Sequence, residues 1–229
     1  MKLKHVLPYL RFSLWRFLIS VVVFLVVVGF YTNACKQQHE AVQWVKANGG
    51  KVGFSQDAPP SLLSAIYGVE GVSTVNFVEL PPDQICNPLA HVTRFPRLEV
   101  LTVRAPVEDI SKLHALRRLK GLYITVTPDV DLSPIVALDS LISLNLSHSK
   151  FSDVSLLSAS NVRGLVLRDT NVRDLSFTLK MPHLEYLDVS ETNADLSPTF
   201  LKAATDRGIE VVTKTPHVNG VRARIASPR

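Results

Sequence analysis

The sequence predicts an α/β repeat solenoid: a ribbon of parallel β-strands with short helical or 3₁₀ return segments, preceded by one transmembrane helix. Three observations carry this. The blocks LEVLTV (98–103), LKGLYI (119–124), LISLNL (141–146), VRGLVL (162–167) and LEYLDV (184–189) all read apolar-x-x-apolar-x-apolar, and they begin 21, 22, 21 and 22 residues apart. Between them EDIS (108–111), VDLS (130–133), SDVS (152–155), RDLS (173–176) and ADLS (194–197) keep the same beat. Upstream, Phe17 to Cys35 runs 19 residues without a charge.

The apolar run is long enough to cross a bilayer, since its 19 residues span about 28 Å as a helix. Trp15 and Tyr31 flank it as interfacial aromatics do. Lys2, Lys4, Arg11 and Arg16 precede it and only Lys36 follows closely, which places the N-terminus in the cytoplasm and the repeats outside. A cleaved signal peptide is the competing reading, but the run is long and no Ala-x-Ala motif follows. Thr32-Asn33-Ala34-Cys35 is a poor lipoprotein cleavage site, because Thr32 stands where a Leu-like residue is wanted.

The chain then divides into a basic N-terminus (1–16), the span (17–35), a juxtamembrane helix with an N-terminal cap (36–70), the repeat domain (71–213) and a basic disordered tail (214–229). In residues 36–48 an apolar stripe of Ala41, Val42 and Val45 predicts a short helix, which Asn48-Gly49-Gly50 stops. Lys51–Phe54 reads as a short strand, and 61–68 as another turn or two of helix. Such a piece covers the core that an end repeat would otherwise expose. The array opens with an atypical copy at VSTVNF (72–77), 26 residues before the next, and IEVV (209–212) offers a last strand.

A strand signature returning roughly every 20–29 residues is that of a leucine-rich repeat. In each copy the pleat turns the last two apolar residues of the block, such as Leu144 and Leu146, into the core. Ile110, Leu132, Val154, Leu175 and Leu196 return over that core, joined by Leu113, Ile135, Leu157 and Phe200. Asp109, Asp131, Asp153, Asp174 and Asp195 each stand just before a short apolar turn, where a carboxylate accepts hydrogen bonds from unpaired amides. A cation site is the other use of such a column, but the Gly-rich nonapeptides of calcium-binding repeats are missing. Ser149, Thr127, Thr170 and Thr192 follow the strands and are expected to satisfy turn backbone.

Charge and motifs narrow the function classes. The two ends hold eight basic residues and no acid, while the body carries 17 basic and 20 acidic side chains, so the high pI is no nucleic-acid footprint. Two cysteines, Cys35 and Cys86, make no disulfide framework. The seven histidines show no metal spacing, and no nucleophile-elbow, Walker or dinucleotide motif occurs. No enzyme activity, cofactor or small-molecule substrate is therefore assigned.

The outward strand residues form the one candidate site, a concave ribbon on which Arg104, Tyr123, Asn145, Arg168, Tyr186 and Asp188 are the candidate contacts. Tyr123 and Tyr186 are expected to be its only aromatics, and large rigid side chains carry interface energy.

Thr or Ser after the strand and Asp-Leu-Ser-Pro on the return make the array resemble the short bacterial leucine-rich repeats of internalin type. The leader RFSLWRFLISVVVFLVVVGF with KQQHEAVQWVKANGGKV is similar to that of a group of bacterial membrane-anchored leucine-rich repeat proteins. This resemblance spans roughly residues 10–212; a missing Asn ladder, the length of 78–97 and Val162 in place of Leu depart from it. It implies a single-pass protein of the cell membrane whose exported domain binds another protein. The alternative is a structural envelope spacer with no defined ligand.

Overall fold

The apolar run and the polar stretch after it form one unbroken helix, α1, from Leu7 to Ala47, about 60 Å long. The computed structural model describes residues 7–55, 62–82, 88–151 and 154–213. Met1 to Val6 of the basic N-terminus, Cys86, Asp153 and the basic tail lie outside the described residues. The boundary expected at residue 36 is therefore no break in the backbone. Apolar side chains such as Phe17, Val22, Phe24, Val27 and Phe30 stand exposed. Three turns later Ala41, Val42 and Val45 are fully buried, so the far end of the same helix caps the repeat core. Among the described residues α1 is the one helix long and apolar enough to cross a membrane.

Helix α1 stops as its last residues dictate. Gly49 adopts φ +75° and donates to the Lys46 carbonyl at 2.9 Å, while Gly50 donates to that of Val45 at 2.8 Å, the paired closure of a Schellman motif. Gly50 also has no room for a side chain, since a Cβ there would stand 2.8 Å from the Glu79 carbonyl oxygen. The chain turns directly into β1 (Lys51–Phe54) and then α2 (Leu62–Val72).

The strands β2 (Val75–Leu80), β3 (Val100–Val107), β4 (Gly121–Val126), β5 (Ser143–Asn145), β6 (Gly164–Val166), β7 (Tyr186–Asp188) and β8 (Glu210–Val212) follow. Together with β1 they make one eight-stranded sheet in chain order. Only β1–β2 is antiparallel; every later pair is parallel. The register stacks Leu101, Leu122, Leu144, Leu165 and Leu187 as a ladder, each with no exposed surface. The ladders of Leu98, Leu119, Leu141, Val162 and Leu184, and of Val103, Ile124, Leu146, Leu167 and Val189, are buried beside it. Val162 thus does the work of a Leu.

The first copy is corrected by three residues. Helix α2 continues through Val72, tied to α1 by the Gln38 amide, which donates to the carbonyls of Glu70 (2.8 Å) and Ser73 (2.6 Å). The strand therefore cannot begin at 72. Val75, Val78 and Leu80 point into the core and align Val78 with Leu101. The block is VNFVEL, 23 residues before LEVLTV rather than 26, and little of the expected extra length remains. At the other end Tyr186 pairs with Glu210, one residue off the frame in which Ile209 would align with Leu184.

The return legs are short turns: α3 (Pro88–Val92), 3₁₀ turns at Ser111–Ala115, Ser155–Ala159 and Ser176–Lys180, and helices α4 (Ser133–Val136) and α5 (Pro198–Asp206). Ile110, Leu132, Val154, Leu175, Leu113, Ile135, Leu157 and Phe200 are buried beneath them, with Leu196 partly so. In the Ser176–Lys180 turn the position of Leu157 is taken by Thr178, also fully buried, whose hydroxyl donates to the Leu175 carbonyl at 2.7 Å. Three of the Asp residues act one position earlier than an N-cap. Asp109, Asp131 and Asp174 accept from the amides of Ser111, Ser133 and Ser176 at 2.8–2.9 Å, closing Asx turns. Before α5 the cap is Ser197, which accepts from Phe200. Hydrogen bonds from Ser111 and Ser133 hold the carboxyls of Asp109 and Asp131 below the ordinary range.

Candidate functional site

The pleat that buries every second strand residue turns the others onto one concave face. Two columns result. One reads Phe77, Val100, Gly121, Ser143, Gly164, Tyr186, Glu210; the next reads Glu79, Thr102, Tyr123, Asn145, Val166, Asp188, Val212. Gly121, Ser143 and Gly164 leave the middle of the first column shallow. A Cβ at Gly121 would meet the Tyr123 ring at 3.6 Å, so the ring leans over that glycine.

Beside this floor lies a concavity of about 730 Å³. Of the residues expected at the site, Arg104, Tyr123, Asn145, Arg168 and Asp188 line it together. Tyr186 does not. It stands in the first column beyond Gly164, and burial raises its phenol pKa, with the charges of Asp188 and Glu210 adding to the shift. The expectation that two tyrosines are the only aromatics on the face is also corrected. Phe77 lines the concavity, because the three-residue shift moves it from a core position to an outward one.

The polar groups of the site are largely engaged with each other. Arg104 lies where β3 bulges between Val103 and Pro106, and its guanidinium donates to Glu79 at 2.9 Å. Arg168 donates to Glu191 at 2.6 Å, which pushes its pKa above the usual value. Asn145 and Asp188 accept from the amides of Ser147 and Ser190 at 2.9 Å, so each shapes the turn that follows its strand. Among the described residues no hydrogen bond engages the Asn145 amide nitrogen or the second Asp188 carboxylate oxygen, and the Asp188 charge acts on Arg168.

At the C-terminal edge of the strands the backbone carries strain. His148, Asp169 and Glu191 all adopt positive φ (63°, 50° and 60°) at equivalent places in three consecutive turns. Their stacking holds them there: the His148 amide donates to the Arg168 carbonyl at 3.0 Å and the Asp169 amide to that of Ser190 at 3.1 Å. The His148 ring meets Asp169 at 2.8 Å, and this contact, then Lys150, holds the Asp169 carboxyl below its ordinary range. Asp169 and Asp188 thus have separate partners and form no acid pair. Thr170 and Thr192 donate to the carbonyls of Leu167 (2.7 Å) and Val189 (2.6 Å), and Ser149 accepts from the Val126 amide at 3.0 Å, the turn-satisfying role expected of them. Among the described residues no three His, Cys, Asp or Glu side chains cluster as a metal site requires.

No protein-family model matches the chain, and no curated protein does. Solved structures do. Internalin C2 of Listeria monocytogenes superposes with a TM-score of 0.50 at 20% identity, over 66% of this chain and 75% of that one. The Arabidopsis receptor kinase HAESA, solved with the peptide hormone IDA and the co-receptor SERK1, gives 0.52 at 12% identity, over 78% of this chain and 33% of that one. At such identities the likeness speaks for architecture alone, and it agrees with the strand ladder: residues 75–212 fold as a leucine-rich repeat solenoid.

Proposed function

We propose that this chain is a single-pass membrane protein whose exported leucine-rich repeat domain binds another protein on its concave face. The observation that carries the binding reading is the concavity itself, where Phe77 and Tyr123 sit beside a floor of Gly121, Ser143 and Gly164. Aromatic anchors next to small residues, with arginines at the margin, match the composition of interface hot spots. The solved receptor complex is one case in which this architecture serves protein partners. The internalin-type repeats and the leader resemble those of bacterial membrane-anchored proteins, which supports the exported placement.

A photo-crosslinking side chain at Tyr123 in the full-length protein, in its own cells, distinguishes binding from a spacer role. We expect a discrete covalent adduct at Tyr123 and none at Leu156, which is exposed on the return-leg side. No adduct at either position favours the spacer.

Export rests on the charges that precede the apolar run of α1 and on the exposed apolar surface of that run. Alkaline phosphatase fused after Arg229 is expected to be active and a green fluorescent fusion dark. The opposite pair of results sinks the export reading.

A further inference from the structure

Helix α1 does more than tether the array, because it also sets the direction in which the array stands. Four contacts fix its course along β2 and the return leg that follows it. Gln38 reaches the carbonyls of Glu70 and Ser73, just before the strand. Higher up, Glu40 pairs with Arg94 at 3.4 Å, and Trp44 stacks on His91 with ring centroids 4.0 Å apart. At the top Gly50 lies against the Glu79 carbonyl. From Gln38 to the helix end at Ala47 the backbone climbs about 14 Å, and from Ser73 to Glu79 about 20 Å. Helix and strand therefore run side by side in the same direction. Every later strand is parallel to β2, so the N-terminal edge of the whole ribbon faces the end of α1 that carries the apolar run.

The spacing is tight. Between Cys35, where the uncharged run ends, and Gln38 there is less than one turn of unbroken helix, about 4.5 Å. The headgroup layer on one side of a bilayer is about 5–7 Å deep. If α1 spans the membrane, the turns that start the first strands lie within that layer. Their composition fits it. The turns ahead of β3 and β4 carry Arg97, Arg117, Arg118 and Lys120 against one acid, Glu99, which pairs with Lys120 at 3.0 Å. Arg117 and Arg118 are exposed and have no acidic partner among the described residues. Farther along the array the same edge turns mixed, with Asp139 ahead of β5 and Glu185 ahead of β7. A tilt of about 20° is ordinary for a membrane helix and lifts or lowers the far repeats more than the near ones. The basic residues are concentrated where the approach is least sensitive to it.

We propose that this near edge, Arg97, Arg117, Arg118 and Lys120, is a binding surface for anionic phospholipid headgroups, which holds the solenoid with its strand-start edge down on the bilayer and its concave face open to the side. The inference rests on the reading of α1 as a membrane span.

The test uses the full chain, with Cys35→Ala and Cys86→Ala, in lipid nanodiscs of phosphatidylcholine with or without phosphatidylglycerol. A fluorophore is placed at Ser140→Cys, on the strand-start edge, or at Asp129→Cys, on the opposite edge. Quenching by a headgroup-labelled lipid is read, with the fold checked by circular dichroism. We expect quenching at 140 several-fold greater than at 129, strongest with phosphatidylglycerol. Arg117→Glu with Arg118→Glu should reduce it by more than half, as should added salt. Equal quenching at the two edges overturns the proposed orientation. Quenching at 140 that ignores both charge reversal and phosphatidylglycerol overturns the headgroup contact. Co-elution with the nanodiscs is scored first: a chain that does not incorporate overturns the membrane-span reading, and this inference with it, before any label is read.

Discussion

Leu144→Ala and Leu165→Ala are each expected to destabilise the repeat domain by about 2–5 kcal/mol, a large share of what holds a domain folded. Both side chains are wholly buried, and the β5–β6 register sets them directly against each other in the middle of the ladder. A repeat cannot close its own core, so a cavity here weakens two stacking interfaces at once. Because the two sites share one packing environment, the double substitution should depart from the sum of the singles. Arg163→Ala and Ser143→Ala serve as controls. Arg163 is exposed and paired with Glu185 at 3.2 Å, and Ser143 lies on the concave floor, so each should cost far less. Urea unfolding followed by circular dichroism measures the four. Equal losses in both sets contradict the inside–outside assignment.

Much of this molecule was legible because the repeat states its own frame. In five copies two interleaved motifs fix which residues are core, and the ladders of Leu101 to Leu187 follow without ambiguity. The ends were harder for one reason. Apolar-x-x-apolar-x-apolar fits residues 72–77 as well as 75–80, and only the tertiary bonds that extend α2 to Val72 choose between them. That choice moves Phe77 from the core to the concave face. The bulge that sets Arg104 beside Glu79, and the left-handed residues His148, Asp169 and Glu191, are also products of stacking. A run of polar turn residues does not announce them. The continuity of α1 was hidden by composition, since an apolar half and a polar half look like two elements although neither Pro nor Gly separates them at residue 36.

The second large effect concerns the concave face. Phe77 and Tyr123 stand in neighbouring columns and line the same concavity, with Arg104 and Arg168 at its margin already oriented by Glu79 and Glu191. Rigid aromatics centred in a pocket cost about 2 kcal/mol or more each when truncated at an interface, roughly thirtyfold in affinity. Neither side chain belongs to the buried core, so their loss should leave the fold intact. Tyr186, which lies outside the concavity, should matter less. The basic tail is the rival site, and it would act through charge alone with strong salt dependence.

The most direct test of the interaction reading is the affinity of the protein crosslinked at position 123 for three forms of this chain, at low and at physiological salt. The account predicts that Phe77→Ala with Tyr123→Ala abolishes measurable binding, while deletion of 214–229 leaves it unchanged at both salts. Binding that survives the double substitution and disappears with the tail, or with salt, contradicts it.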